Sequence, residues 1–131
     1  MSLLGSMKVS SSALTAERMR MDLIADNISN AGTTRTPQGG AYRRKLAVLE
    51  AMADGGVRVA NVAQDPAPLK EIHDPSHPHA DARGMVQMPN VEIVKEMVDL
   101  ITASRSYEAN ITAFNAAKGM AMRALDIGRA G

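Results

Sequence analysis

Glycine and proline are segregated along this 131-residue chain, and that segregation limits what it can fold into. Residues 6–31 contain neither, residues 32–89 hold all six prolines and six of the ten glycines, and residues 90–127 contain only Gly119. Glycine interrupts helices through its backbone freedom and proline through its missing N–H and its ring. The two ends are therefore expected to be helical and the middle not. The expected fold is mainly α. Long N- and C-terminal helices (segments 1–31 and 90–131) pair as an antiparallel coiled coil, with a small loop and β-hairpin insert (32–89) between them.

Apolar spacing supports this division. Leu14, Met21 and Ile28 recur every seven residues, with Ile24 and Ala31 at the matching intermediate positions, which predicts a helix from about Ser10 to Asn30 with one narrow seam. Gly32 is placed to supply a left-handed C-terminal cap. In the last segment Asn90 is the expected N-cap and Glu92 puts negative charge in the first turn. Ile93, Met97, Leu100, Ser104, Tyr107, Ile111, Phe114, Lys118, Ala121 and Leu125 then follow a four-three alternation. A second strip of Val91, Val94, Val98 and Ile101 lies on another face of the first three turns. A helix from Val91 to Ile127 is on the order of 55 Å long, and the shorter first helix cannot cover it. A further partner is needed for the remainder.

The middle segment alternates turn residues with short β-type runs. Thr36-Pro37-Gln38-Gly39-Gly40 precedes Tyr42–Glu50, and Asp54-Gly55-Gly56 precedes Val57–Val62, so these two runs are expected to form a hairpin. Shorter strands are expected around Leu69–Ile72 and at Met85-Val86. A hairpin of this size must lean on the helices or on a neighbour.

Little in the chain suggests chemistry. All three histidines (His73, His77, His79) lie close to Asp74 and Asp81, a set that could in principle ligate zinc or nickel. Pro75 and Pro78 make the segment an irregular surface loop, however, and the spacing fits no helical ligand pair, so solvated histidines are the plainer reading and no metal or cofactor is expected. No Gly-x-Ser-x-Gly elbow appears, and the glycine doublets lack phosphate-loop spacing. Arg43-Arg44-Lys45 reads as a solvated strand edge.

Composition excludes more. Fifteen Lys and Arg against 14 Asp and Glu leave a formal charge of +1, with no electrostatic footprint for nucleic acid or for an anionic membrane surface. Ten methionines against no Trp and one Phe suit helix seams better than an aromatic pocket. There is no cysteine, hence no disulfide and no thiolate site. No run reaches the roughly 20 apolar residues that span a bilayer, and the start lacks a cleavable signal. On these grounds alone the chain would be expected in the cytoplasm.

Two blocks carry a resemblance. Ser12-Ala13-Leu14-Thr15-Ala16-Glu17-Arg18-Met19-Arg20 followed by Asp26-Asn27-Ile28-Ser29-Asn30-Ala31, and Met88-Pro89-Asn90-Val91 followed by Ser104-Arg105-Ser106-Tyr107-Glu108-Ala109-Asn110, resemble the terminal signatures of the axial family of the bacterial flagellar rod, hook and filament. The short middle and the run Thr34-Arg35-Thr36-Pro37-x-Gly39-Gly40-x-Tyr42-Arg43 are similar to the proximal rod members of that family. Gly32-Thr33 and Met85 depart from the commoner pattern. Both departures concern local packing.

The resemblance implies a non-enzymatic structural subunit of the flagellar basal body. It would be exported by the flagellar type III apparatus without a cleaved signal and would work in the periplasm, which reverses the expectation from composition. Partners would be copies of itself, other rod proteins, and the membrane ring with its rod adaptor protein, in an assembly that transmits torque and encloses the export channel. Within the subunit, Leu14, Met21, Ile24 and Ile28 would pack against a seam of Met97, Leu100, Tyr107, Ile111, Phe114 and Leu125. Asn27, Asn30, Val91, Val94, Val98 and Ile101 would face a neighbouring subunit. The rival reading is a small helical adaptor or chaperone module binding one soluble partner, with an enzyme built on the histidine loop third.

Overall fold

The computed structural model describes residues 2–130. Two helices, α1 (Leu3–Ser29) and α2 (Ile93–Ala130), enclose in sequence four strands, β1 (Lys45–Ala51), β2 (Val57–Gln64), β3 (Lys70–His73) and β4 (Met85–Met88). Strands pair only with their neighbours, giving two separate antiparallel hairpins, β1-β2 and β3-β4.

Helix α1 begins seven residues before the expected Ser10. Ser2 caps it: its hydroxyl accepts from Gly5 N–H at 2.9 Å, satisfying an end donor that would otherwise be orphaned. At the other end Asn30, not Gly32, closes the helix. The Asn30 side-chain amide donates to Asp26 O at 2.9 Å, and Gly32 is absent from the glycines with positive φ. Helix α2 starts at Ile93 rather than Val91. Asn90 does not cap it, because its side chain is engaged with the insert, as described below.

The two helices run antiparallel. Asn27, near the end of α1, touches Glu96, near the start of α2. With a rise of about 1.5 Å per residue on both helices, Leu3 lies level with about Met120. Beyond that point α2 projects without cover, and Met122, Leu125 and Ile127 are 57%, 65% and 75% exposed.

The contact face of α2 differs from the expected seam in an instructive way. Glu96, Leu100, Ala103, Tyr107, Asn110, Phe114, Ala117 and Ala121, all buried or half-buried, run along it in four-three alternation, flanked by half-buried Asp99, Ser104, Ser106 and Gly119. Four of the ten expected positions are kept in this row (Leu100, Tyr107, Phe114, Ala121), four give way to the residue before them (Glu96, Ala103, Asn110, Ala117), and Ile93 and Leu125 are exposed. Met97, Ile111 and Leu125, expected in the seam, are exposed at 50%, 37% and 65%. Small side chains at Ala16, Ala103 and Ala117, all buried, allow close backbone approach, and Glu96 is drawn inward by polar partners. On α1, Ile24 is buried and Leu14, Met21 and Ile28 are half-buried.

Hairpin β1-β2 lies along α1 and is fastened at both ends by side chains of that helix. Asn27 accepts from Lys45 N–H at 2.9 Å and donates to Lys45 O at 2.8 Å, so its amide satisfies a backbone edge as a neighbouring strand would. Fifteen residues earlier, Ser12 Oγ accepts from Val57 N–H at 3.1 Å. The span of about 22 Å between these clips on a helix matches about 20 Å of extended strand from Lys45 to Ala51, whose partner is Val57. Gly56 completes the fit. A Cβ there would lie 2.7 Å from Ser12 Oγ.

Candidate assembly interface

Where the two helices and the insert meet, a polar network replaces an apolar core. Asn27 is 1% exposed. Besides holding Lys45, its Oδ1 accepts from Tyr42 Oη at 2.8 Å, and its Nδ2 lies 3.4 Å from Glu96 Oε2. Glu96, also 1% exposed, accepts a hydrogen bond from Arg44 Nε through Oε1. Arg44 Nη1 reaches Asp65 Oδ2 at 3.1 Å and Nη2 reaches Asp99 Oδ2 at 3.8 Å. Asn90 Oδ1 accepts from Arg44 N–H at 2.7 Å, and its Nδ2 donates to Asp65 O and Ala67 O at 3.1 and 3.0 Å. Arg44 is thus an inward-facing cation and not part of a solvated edge.

Charge and burial shape the acidity of this cluster. Burial, and then the negative charges of Asp26 and Glu96, push the Tyr42 phenol up to about 12. Burial works against the Arg44 guanidinium, but the hydrogen bond and charge of Glu96, followed by those of Asp65, more than reverse it, so its affinity for the proton is raised. The Asp65 carboxylate is held below its usual range, chiefly by the Ala67 N–H; burial opposes this, and Arg44 and Lys95 reinforce it. Paired, hydrogen-bonded charges of this kind fix geometry, and removing one partner strands the other.

The residues expected to face a neighbouring subunit divide by burial within the chain. Asn27 and Val91, with 1% and 4% exposure, are internal. Asn27 is claimed by Tyr42, Lys45 and Glu96, and Val91 O accepts from Lys70 Nζ at 3.1 Å. Asn30 spends its amide locally, donating to Asp26 O and accepting from Thr33 Oγ1 at 3.1 Å. The other three lie on the outside: Val94, Val98 and Ile101 are 76%, 56% and 56% exposed, and Ile93 (45%) and Met97 (50%) widen the strip. Among the described residues this apolar face has no partner within the chain.

One signal for the network is legible from spacing alone. Glu96 sits in four-three register with Leu100 and Ala103, and a carboxylate on a seam needs a buried cation. Its partner, Arg44, is 52 residues away and invisible to periodicity.

The histidine loop forms no convergent site. Thr34 Oγ1 and His79 Nδ1 are 2.7 Å apart, His77 Nδ1 accepts from His79 N–H at 3.0 Å, and His73 is exposed. Among the described residues no group of three or more His, Asp or Glu side chains could hold a metal ion, and no helix is long and apolar enough to cross a membrane.

Comparison with known proteins accounts for this architecture. Residues 7–35 match the family described as flagella basal body rod protein, and residues 82–127 the one described as flagellar basal body rod FlgEFG protein C-terminal. These segments contain most of the paired length of the two helices. The flagellar basal-body rod protein FlgC of Bacillus subtilis is 43% identical, covering 95% of this chain and 97% of its own length. The FlgC proteins of Borreliella burgdorferi and of Escherichia coli O157:H7 are each 42% identical, covering 97% and 98% of this chain and 98% and 100% of theirs. Identity at this level along almost the whole length, insert included, shows that the chain belongs to the FlgC family of flagellar basal-body rod proteins.

Proposed function

We propose that this chain is a non-enzymatic subunit of the proximal rod. Many copies assemble helically with other rod proteins to link the membrane ring to the distal rod, transmit torque and enclose the export channel. One observation carries the reading beyond family membership: the exposed strip of Val94, Val98 and Ile101 on a helix that outruns α1. An isolated adaptor would leave both this strip and the projecting end of α2 in water. An axial assembly buries both. The rod's position implies passage through the flagellar type III export apparatus without a cleaved signal, a periplasmic working site, and contact with the ring's rod adaptor protein.

A charge on the strip tests this. Val98→Asp places a carboxylate where a neighbour would have to desolvate it, which costs several kcal/mol, roughly 2–5 per subunit, while leaving the intrachain network untouched. The variant is expected to be exported at normal levels, to be missing from isolated basal bodies and to leave cells non-motile. Normal swimming would remove the strip from the interface.

A further inference from the structure

We infer that the groove beside the loop of residues 33–42 binds an acidic segment of a neighbouring polypeptide chain. The loop is a built element. Thr36 N–H donates to Gly40 O and Gly39 N–H to Thr36 O, both at 2.9 Å, and Tyr42 N–H closes back on Thr33 O at 3.0 Å. Gly39 and Gly40 both take positive φ (+86° and +73°), which only glycine adopts in succession at little cost. This loop and the start of β1 enclose a groove of about 560 Å³.

All charged residues lining the groove are cations: Arg35, Arg43 and Lys45. The chain as a whole carries +1, so three cations without a carboxylate form a local excess. Arg44, in the middle of the same run, takes Glu96, Asp65 and Asp99 for itself. Arg43 donates only to the carbonyls of Asp65 and Ala67, and the Lys45 ammonium lies 5.7 Å from the Tyr42 ring centroid. Among the described residues none of the three has a carboxylate within ion-pair distance. Thr36, Gln38 and Gln64 on the same walls offer hydrogen-bonding groups for a peptide backbone. A second hollow of about 390 Å³ shares Arg35, Gly39 and Ala41 with the groove, and the carboxylate on its wall, Asp81, is paired with Arg83 at 3.5 Å, so the trough continues past the loop. It is too extended for one small anion and suits several residues of chain.

The source of the segment rests on the rod reading, in which another axial subunit supplies it. The test is charge reversal of the full chain, Arg35→Glu with Lys45→Glu, alongside the charge-conserving pair Arg35→Lys with Lys45→Arg, plus a photoreactive residue at Gln38. Expected results are unchanged export and helicity, at least ten-fold less of the reversed variant in basal bodies, near-normal incorporation of the conserving pair, and a Gln38 cross-link to a segment rich in Asp and Glu. Normal incorporation of the reversed variant, or a cross-link to a neutral or basic segment, overturns the proposal. If the unsubstituted chain is itself missing from basal bodies, the rod reading falls separately. Titration of the full chain with hexaglutamate then decides the groove: binding abolished by the reversed pair keeps it, while no binding, or equal saturation by inorganic phosphate, overturns it.

Discussion

At the scale of single residues, Asn27 does the most. Its one amide closes the Lys45 backbone edge and accepts from Tyr42, so Asn27→Ala leaves several buried groups unsatisfied. The expected loss is about 3 kcal/mol, read by denaturant unfolding of the purified chain; a loss below about 1 kcal/mol would mean that water repairs the site. Tyr42 gives a pH signature. Its phenol is raised from 10 to about 12 in the folded state, so the folded form holds the proton more tightly than the unfolded form. The stabilisation is complete below pH 10 and disappears as pH rises through about 12. With two tyrosines and no Trp, ultraviolet titration can follow this directly. Tyr42→Phe should abolish the component near 12, and its persistence would reassign it.

At the scale of elements, α2 shows how a polar anchor sets the rotation of a seam. The apolar pattern alone points Met97 and Ile111 at α1. The structure instead turns Glu96, Ala103 and Ala117 inward, because Glu96 is gripped by Arg44 and alanine lets the backbones close. Two substitutions separate the alternatives. Ala103→Leu should overpack the contact and cost about 1–3 kcal/mol, whereas Met97→Ala should change the stability of the isolated chain by less than about 0.5 kcal/mol. The reverse order in thermal unfolding would restore the simple heptad. Gly56→Ala pushes a methyl against Ser12 Oγ and should loosen the far clip of the hairpin, seen as faster hydrogen exchange at Val57 N–H.

At the scale of the whole molecule, stability is uneven. The junction of both helices with the insert is dense with hydrogen bonds. The distal end of α2 carries Met122, Leu125 and Ile127 in the open, and Leu4 near the start of α1 is 73% exposed. Helical segments that cannot bury an apolar face alone gain order when a partner covers it. Hydrogen exchange on the monomer is expected to show protection around Asn27, Lys45 and Glu96 and little beyond about Met120, with protection reaching the end of α2 in isolated basal bodies. Full protection of α2 in the monomer would mean that the helix needs no neighbour.

The segregation of Gly and Pro, together with the four-three and seven-residue spacings, determined by themselves that two helices flank a β-containing insert. Local backbone preference and periodicity act over a few residues and are legible without a fold. The terminal blocks likewise carried the family. Three matters were decided only in three dimensions: which side of α2 faces inward, which asparagines are internal, and where the insert is fastened. Each depends on pairs far apart in the chain, Asn27 with Lys45, Arg44 with Glu96, Ser12 with Val57. A buried carboxylate or amide takes its meaning from the partner that satisfies it. Only packing brings that partner near.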